Sequence, residues 1–361
     1  MMTDLQSDAG LQARRLVAAA FSVALLALGV ILVVWRETLV PEKMTFDSQF
    51  IQTIAQGKVV LGSEDKSYGN IGRLYQFLGL GYQPFIASML GFAIYFILLS
   101  GVSHRLAEYR VSILDRLVLV AAAGLGGIFL AQYSKDVIVA MLVALAFYLG
   151  RSWISELFFL ACALAYATAF RQYWYLIIAL YVVLRLVHAR WRKLWPLLLV
   201  CLAFLAMLAF ALPLVAHVDI QSFRLQANAD RVGSENAQSM IMPFLEGESI
   251  VIGAANTLIS FVQLLLPVPM LLLSAQHAVY GLFLITLWSL FLWGVHRGSG
   301  LRDLPIAWER GCSLALAMVS IQAVFEPDYG SYLRHLTPLL PLLLFVAVVS
   351  RHRPEGTGPR A

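Results

Sequence analysis

Long apolar runs recur along this chain and leave it few folds to choose from. Stretches near 15–35, 84–101, 117–133, 154–170, 172–188, 195–216, 277–295, 311–325 and 336–350 each approach, with their flanks, the about 18–20 apolar residues that cross a bilayer core. A further run at 137–150 is short and has to borrow flanking residues to span. Within lipid, irregular backbone survives only where protein or a water-filled cavity covers it, so each run is read as a helix. Only 13% of the 361 residues are charged and 60% are hydrophobic, against about 25% charged in soluble domains. The expected fold is all-α: one polytopic integral membrane helix bundle over 1–361, with about ten transmembrane helices.

The first run follows Arg14 and Arg15 as a signal peptide would. It is too long for a signal core and lacks a small-residue cleavage site before Trp35-Arg36, so it is read as a retained signal-anchor. A cytoplasmic N-terminus then places Arg105, Arg110, Arg116, Arg151, Arg185, Arg190, Arg192, Lys193, Arg297, Arg302, Arg310, Arg351, Arg353 and Arg360 inside as well. That asymmetry is the one membrane insertion favours, and it puts the C-terminus in the cytoplasm too. Counting 250–274 as a span would reverse the last loops. The segment also holds Asn256, Gln263, Pro267 and Pro269, so it is read as re-entrant or broken.

Two outer loops follow, 36–83 and 217–249. The first contains Phe46-Asp47-Ser48-Gln49-Phe50-Ile51-Gln52-Thr53-Ile54, apolar at 46, 50, 51 and 54, which predicts an amphipathic interfacial helix with Gly57 as its stop. The tail at 354–361 reads as disordered. Cys162, Cys201 and Cys312 lie within apolar runs as inert packing thiols, no spacing suggests a metal, and no nucleotide-binding loop or other cofactor signature is present. Nucleic acid is not an expected partner.

Polar chemistry gathers at span ends on the outer side. Phe325-Glu326-Pro327-Asp328-Tyr329-Gly330-Ser331-Tyr332-Leu333-Arg334-His335 packs carboxylates, an arginine, a histidine and tyrosines between two apolar runs, where a plain connector needs only small residues. Pro327 and Gly330 argue against a simple helix through it. Tyr133-Ser134-Lys135-Asp136 joins two spans with almost no loop, and charges at such depth are costly unless paired or hydrated. Lys135 is placed to meet a ligand phosphate, Asp136 to orient an arginine; the plain alternative is an interfacial pair with Lys135 snorkelling outward. Arg171 stands alone between two further spans, and Arg224 and Arg231 sit in the second outer loop. Arginine's fork matches phosphate oxygens. Asp47, on the interfacial helix, is a candidate general base towards a hydroxyl, or an ordinary polar-face residue. Cations and carboxylates at one face of a helical bundle suit a lipid-linked diphosphate.

Phe46-Asp47-x-x-Phe50, Tyr133-Ser134-Lys135-Asp136 and the Phe325–His335 stretch, set after a signal-anchor and a long outer loop, together resemble bacterial polysaccharide polymerases of the Wzy type. That family is similar in architecture to GT-C glycosyltransferases, whose first outer loop typically carries an acid near the position of Asp47. The resemblance implies an enzyme of the bacterial inner membrane that joins polyprenyl-diphosphate-linked oligosaccharides of O-antigen, capsule or exopolysaccharide. It implies Asp47 or Asp136 as base, Lys135, Arg171, Arg224 and Arg334 as diphosphate ligands, and Tyr329 and Tyr332 as a sugar platform. Glu326, Asp328, His335 and Arg231 complete the candidate substrate-binding set. Membrane lipid, a chain-length regulator and a flippase of the same pathway are the implied partners. The second long loop carries only two arginines where the family is often arginine-rich. Rival readings are a GT-C-type transferase adding one sugar from a polyprenyl-phosphate donor, an O-antigen ligase, a lipid-linked sugar transporter and a structural subunit of an export complex.

Overall fold

The computed structural model describes residues 2–59, 66–229, 239–247, 249–299, 301 and 303–351. Seventeen α-helices run through them in the order α1 (Met2–Val34), α2 (Arg36–Leu39), α3 (Phe46–Ala55), α4 (Lys66–Phe77), α5 (Pro84–Leu106), α6 (Ile113–Phe129), α7 (Asp136–Tyr148), α8 (Trp153–Ala169) and α9 (Trp174–Trp191), continuing as α10 (Leu194–Ala211), α11 (Ser222–Ala229), α12 (Ile250–Leu265), α13 (Met270–Leu273), α14 (Ala275–Gly298), α15 (Ile306–Phe325), α16 (Tyr329–Leu336) and α17 (Leu340–Arg351). Among the described residues, β structure is limited to one isolated antiparallel bridge, Met240 to Asp328.

Among the described residues, six helical stretches are long and apolar enough to cross a membrane: Gly10–Val34, Pro84–Leu106, Trp174–Trp191, Leu194–Val215, Ala275–Gly298 and Tyr329–Arg351. The architecture is that of an all-helical, multi-pass membrane protein. Asp136–Tyr148, Trp153–Ala169 and Ile250–Leu265 are apolar but shorter. At 13 residues α7 rises only about 20 Å, less than the about 30 Å of a hydrocarbon core.

The helices divide into two compact units. The first comprises Met1–Trp174, Ile306–Trp308 and Thr337–Ala361. Here α1 packs on α5 and α6, and α17 lies against the same two helices, buried along its length. Ser112 starts α6 through a reciprocal cap with Asp115: the Ser112 N–H donates to the carboxylate at 2.9 Å, and the Asp115 N–H to Ser112 Oγ at 3.2 Å. Asp115 also receives the Arg351 guanidinium, which ties the end of α17 to the start of α6.

The interfacial helix read from the sequence is α3, and its buried positions, Ser48, Ile51, Ile54 and Ala55, follow the helical period. Gly57 ends it with φ of +72°, a left-handed conformation that costs glycine nothing. α3 then packs on α4 so closely that a methyl group at Gly72 would sit 2.4 Å from Ile54 Cγ2. Ile51, Ala55, Ile71, Tyr75, Leu80, Ala87 and Tyr133 form one apolar cluster between this helix pair and the α6–α7 elbow. The pair is thus a lid bound to that elbow.

The second unit comprises Tyr175–Pro305 and Glu309–Leu336. α12 packs on α10, and its path breaks between Leu265 and Met270, where Pro267 and Pro269 remove two N–H donors; α13 and then α14 follow, with the Ser274 hydroxyl accepting from the His277 N–H at 3.3 Å. The break falls in the segment read as re-entrant or broken. Helix resumes sooner than expected at the polar elbow after α15. Pro327 does interrupt it, but Gly330 lies inside the first turn of α16. The reason is Asp328, whose carboxylate accepts from the Ser331 N–H at 2.7 Å and the Ser331 hydroxyl at 2.9 Å, an N-terminal cap that starts α16 at once. The expected tail at 354–361 and Arg231 fall outside the described residues.

Candidate functional site

In the first unit the α6–α7 elbow and the α8–α9 turn meet through charge. Arg171 Nη2 lies 2.9 Å from Asp136 Oδ1, with both side chains more than nine-tenths buried. The second fork nitrogen, Arg171 Nη1, donates to the Tyr173 hydroxyl at 2.6 Å. Asp136 is also the first residue of α7, where a carboxylate meets the positive end of the helix dipole. Lys135 turns the other way: its Nζ donates to Ser67 Oγ at 3.3 Å and stands 3.9 Å from the Tyr68 ring centroid. Both of those partners belong to the lid.

The lid is held by hydrogen bonds to span ends as well. Asn70 Nδ2 donates at 2.6 Å to the carbonyl of Ala169, the last residue of α8. The Ser134 N–H donates to the Tyr75 hydroxyl at 3.2 Å, and the Tyr133 hydroxyl donates to the Leu80 carbonyl at 2.5 Å. Burial pushes the Tyr75 phenol up to about 12, so it stays a neutral donor and acceptor. Arg36 donates to the Ala131 carbonyl and to Gln132 Oε1, neutralising carbonyl charge beyond the C-terminus of α6; burial lowers its pKa to about 10. Asp47 is half-buried in the first turn of α3.

In the second unit the α15–α16 elbow organises the remaining candidates. Arg224, on α11, divides its donors between this elbow and α12: Nε on the Glu326 carbonyl at 3.0 Å, Nη2 on the Ala323 carbonyl, and Nη1 on Ser260 Oγ of α12 at 2.6 Å. Those carbonyls belong to the C-terminal turn of α15, where four C=O groups lack helical partners, so Arg224 is a helix C-terminal cap. Burial lowers its pKa to about 10, opposed by the Glu326 charge. The Ile241 N–H adds a bond to the Pro327 carbonyl at 2.8 Å.

Glu326 accepts at Oε1 from His335 Nδ1, and Arg334 Nη2 lies 3.2 Å from His335 Nε2. A guanidinium only donates, so Nε2 accepts there and Nδ1 carries the proton shared with Glu326. The carboxylate thereby fixes both the tautomer and the ring orientation of His335. Arg334 and His335 are half-buried, whereas Glu326 and Tyr329 are buried.

Several residues therefore serve ends other than those first expected of them. Tyr332 is fully buried; its hydroxyl donates to the Leu264 carbonyl and accepts from Trp288 Nε1, each at 2.8 Å, which makes it a core bracket rather than a sugar platform. Arg224 caps α15 instead of facing a diphosphate, and Asp328 caps α16. Asp136 is held against the Arg171 guanidinium. Arg171 and Lys135 are engaged within the first unit. Arg36, Asn70 and Tyr75 were not singled out from the sequence. Arg36 carries a legible signal, an arginine directly after the first apolar run; Asn70 and Tyr75 carry none.

Among the described residues no group of three or more His, Cys, Asp or Glu side chains is placed to hold a metal ion. Comparison with protein families, curated proteins and solved structures gives no match.

Proposed function

We propose that this chain is a GT-C-like membrane glycosyltransferase of about ten spans. In this reading it joins polyprenyl-diphosphate-linked oligosaccharide repeats at the outer face of the bacterial inner membrane, with both termini in the cytoplasm. The multi-pass helical architecture and the motif resemblance support the class. The observation that carries the chemistry is the Glu326–His335–Arg334 chain, which presents a carboxylate-oriented imidazole beside a half-buried guanidinium.

In this reading a diphosphate draws the Arg334 guanidinium towards itself and exposes the Nε2 lone pair of His335. The acceptor hydroxyl attacks the anomeric carbon, and its proton passes to Nε2. The bond from that carbon to the diphosphate oxygen breaks, and its electron pair leaves with the diphosphate, whose charge Arg334 stabilises. His335 takes the place of Asp136 as base in this reading because its half-buried ring is oriented by Glu326, whereas Asp136 lies in a buried ion pair with Arg171.

The test is a glycan gel from a strain lacking the gene and complemented with wild type or His335→Ala. We expect a ladder with wild type and a single repeat unit with the variant at equal protein level. Full-length polymer lacking one sugar per repeat would point to single-sugar transfer instead, and an unchanged ladder in the deletion strain would remove the enzyme from polymerisation altogether.

A further inference from the structure

The lid carries a second apolar surface, at the end of α4 and on the turn that leads into α5. Leu74 and Phe77 lie on α4, and the Leu78 N–H still bonds to the Leu74 carbonyl at 3.0 Å, so all three share one face at helical spacing. All three are exposed, Phe77 to 86%, and Tyr82 beyond them is 72% exposed. Pro84 then opens the spanning helix α5, whose first turn exposes Phe85 and Ile86. The turn is firmly held. The Tyr133 hydroxyl bonds to the Leu80 carbonyl, and the Tyr82 hydroxyl donates at 3.2 Å to the carbonyl of Gln56, next to the end of α3. Gly81 packs so closely on α3 that a methyl group there would fall 2.4 Å from the Ala55 carbonyl oxygen. Phe77 and Tyr82 are thus displayed by a fixed scaffold.

The apolar face of α3 is already spent: Ile51 and Ala55 join the buried cluster beneath the lid, and Ile54 meets Gly72 of α4. Contact with lipid therefore falls to α4 and the turn. An exposed apolar stripe marks an interaction surface, and its continuation into the outward-facing start of a spanning helix names the occupant. Tyr82 stands just before the first residue of that span, at the headgroup level where aromatic side chains are enriched. Arg73 and Gln76, both exposed, fill the neighbouring sector of α4 and give the stripe the polar edge of an interfacial helix. We propose that Leu74, Phe77, Leu78 and Tyr82 insert into the headgroup–acyl boundary of the bilayer that α5 crosses, so that the lid is seated on lipid as well as on the elbow. The contact is independent of the glycosyl-transfer reading.

The experiment uses the full chain carrying Cys162→Ala, Cys201→Ala and Cys312→Ala, with a nitroxide attached at Phe77→Cys, Leu78→Cys or Gln76→Cys. The protein is reconstituted into vesicles of phosphatidylethanolamine and phosphatidylglycerol. Electron paramagnetic resonance then reads collisions with oxygen, which concentrates among acyl chains, and with a water-soluble nickel chelate. We expect the labels at Phe77 and Leu78 to lose nickel collisions and gain oxygen collisions relative to the label at Gln76. Nickel collisions as frequent at Phe77 and Leu78 as at Gln76 would put the stripe in water and overturn the proposal. Shielding from both probes, or dipolar broadening that disappears on dilution with unlabelled chain, would assign the stripe to a protein surface and overturn it as well. The unmodified chain supplies a second measurement should the cysteine-free protein not fold: vesicles doped with a phospholipid bearing an acyl-chain diazirine are illuminated and the adducts mapped by mass spectrometry. Adducts on Phe77, Leu78 or Tyr82 are expected; adducts on α5 with none on these three would refute the contact.

Discussion

Removing the Asp136 carboxylate takes away the anion 2.9 Å from the Arg171 guanidinium, whose side chain is only 6% exposed. Water cannot screen a charge so enclosed, and breaking a buried ion pair from one side costs about 3–5 kcal/mol, because the remaining ion stays desolvated. Asp136→Ala is therefore expected to lower the unfolding temperature by about 6–10 °C, taking about 2 °C per kcal/mol for a chain of this size. Arg171→Ala should do the same. Replacing both by apolar residues of similar volume, Asp136→Leu with Arg171→Met, removes the stranded charge and should restore most of the loss, since such exchanges are often neutral. The assay is thermal unfolding of the purified chain in detergent, with the glycan ladder read in parallel. The double variant separates two roles. If the pair only fastens the α6–α7 and α8–α9 elbows, stability and ladder return together; if Arg171 also holds substrate diphosphate, stability returns and the ladder does not. A single variant that loses less than about 1 kcal/mol would refute the premise, since that is the range of solvent-exposed pairs.

Two further outcomes follow from the second unit. Arg224→Lys should be nearly as damaging as Arg224→Ala, about 2–3 kcal/mol by thermal unfolding, because an ammonium cannot reach Ala323, Glu326 and Ser260 together. Tyr332→Phe leaves the Trp288 N–H and the Leu264 carbonyl without their shared hydroxyl and should cost about 1–3 kcal/mol while the glycan ladder keeps its length; loss of the ladder at unchanged stability would return Tyr332 to the substrate.

The parts of this fold that the sequence exposes are those ruled by local chemistry. Apolar runs mark helices because lipid demands internally satisfied backbone; Gly57 and the Pro267–Pro269 pair act on their own dihedrals and donors; and the period of Ile51 and Ile54 gives away a buried face. The cap of α16 carries no such local mark: Asp328 stands among Glu326, Arg334 and His335, and the same carboxylate reads equally as a ligand or as a helix start. Partnerships across long separations were not legible. Nothing near Arg171 in the sequence names Asp136, and nothing near Arg224 announces that the end of α15, 102 residues away at Glu326, needs its fork. A lone arginine at a span end looks the same whether it awaits a phosphate or a carbonyl, and only burial and geometry tell them apart. His335 gained weight for the converse reason: its local pairing with Glu326 orients a ring that the sequence could only count.

The lid also imposes a timetable on synthesis. Asn70 must wait for Ala169, 99 residues later in the chain, before its side chain has the carbonyl it binds. At about 5–20 residues per second, that delay is roughly 5–20 s, long compared with the microseconds in which a helix forms. During this interval α3 and α4 are complete but have no elbow to dock on, with Phe46, Leu74 and Phe77 facing outward even in the finished structure. The amphipathic character of α3 answers the need, since it lets the nascent hairpin rest on the membrane surface until the later helices arrive.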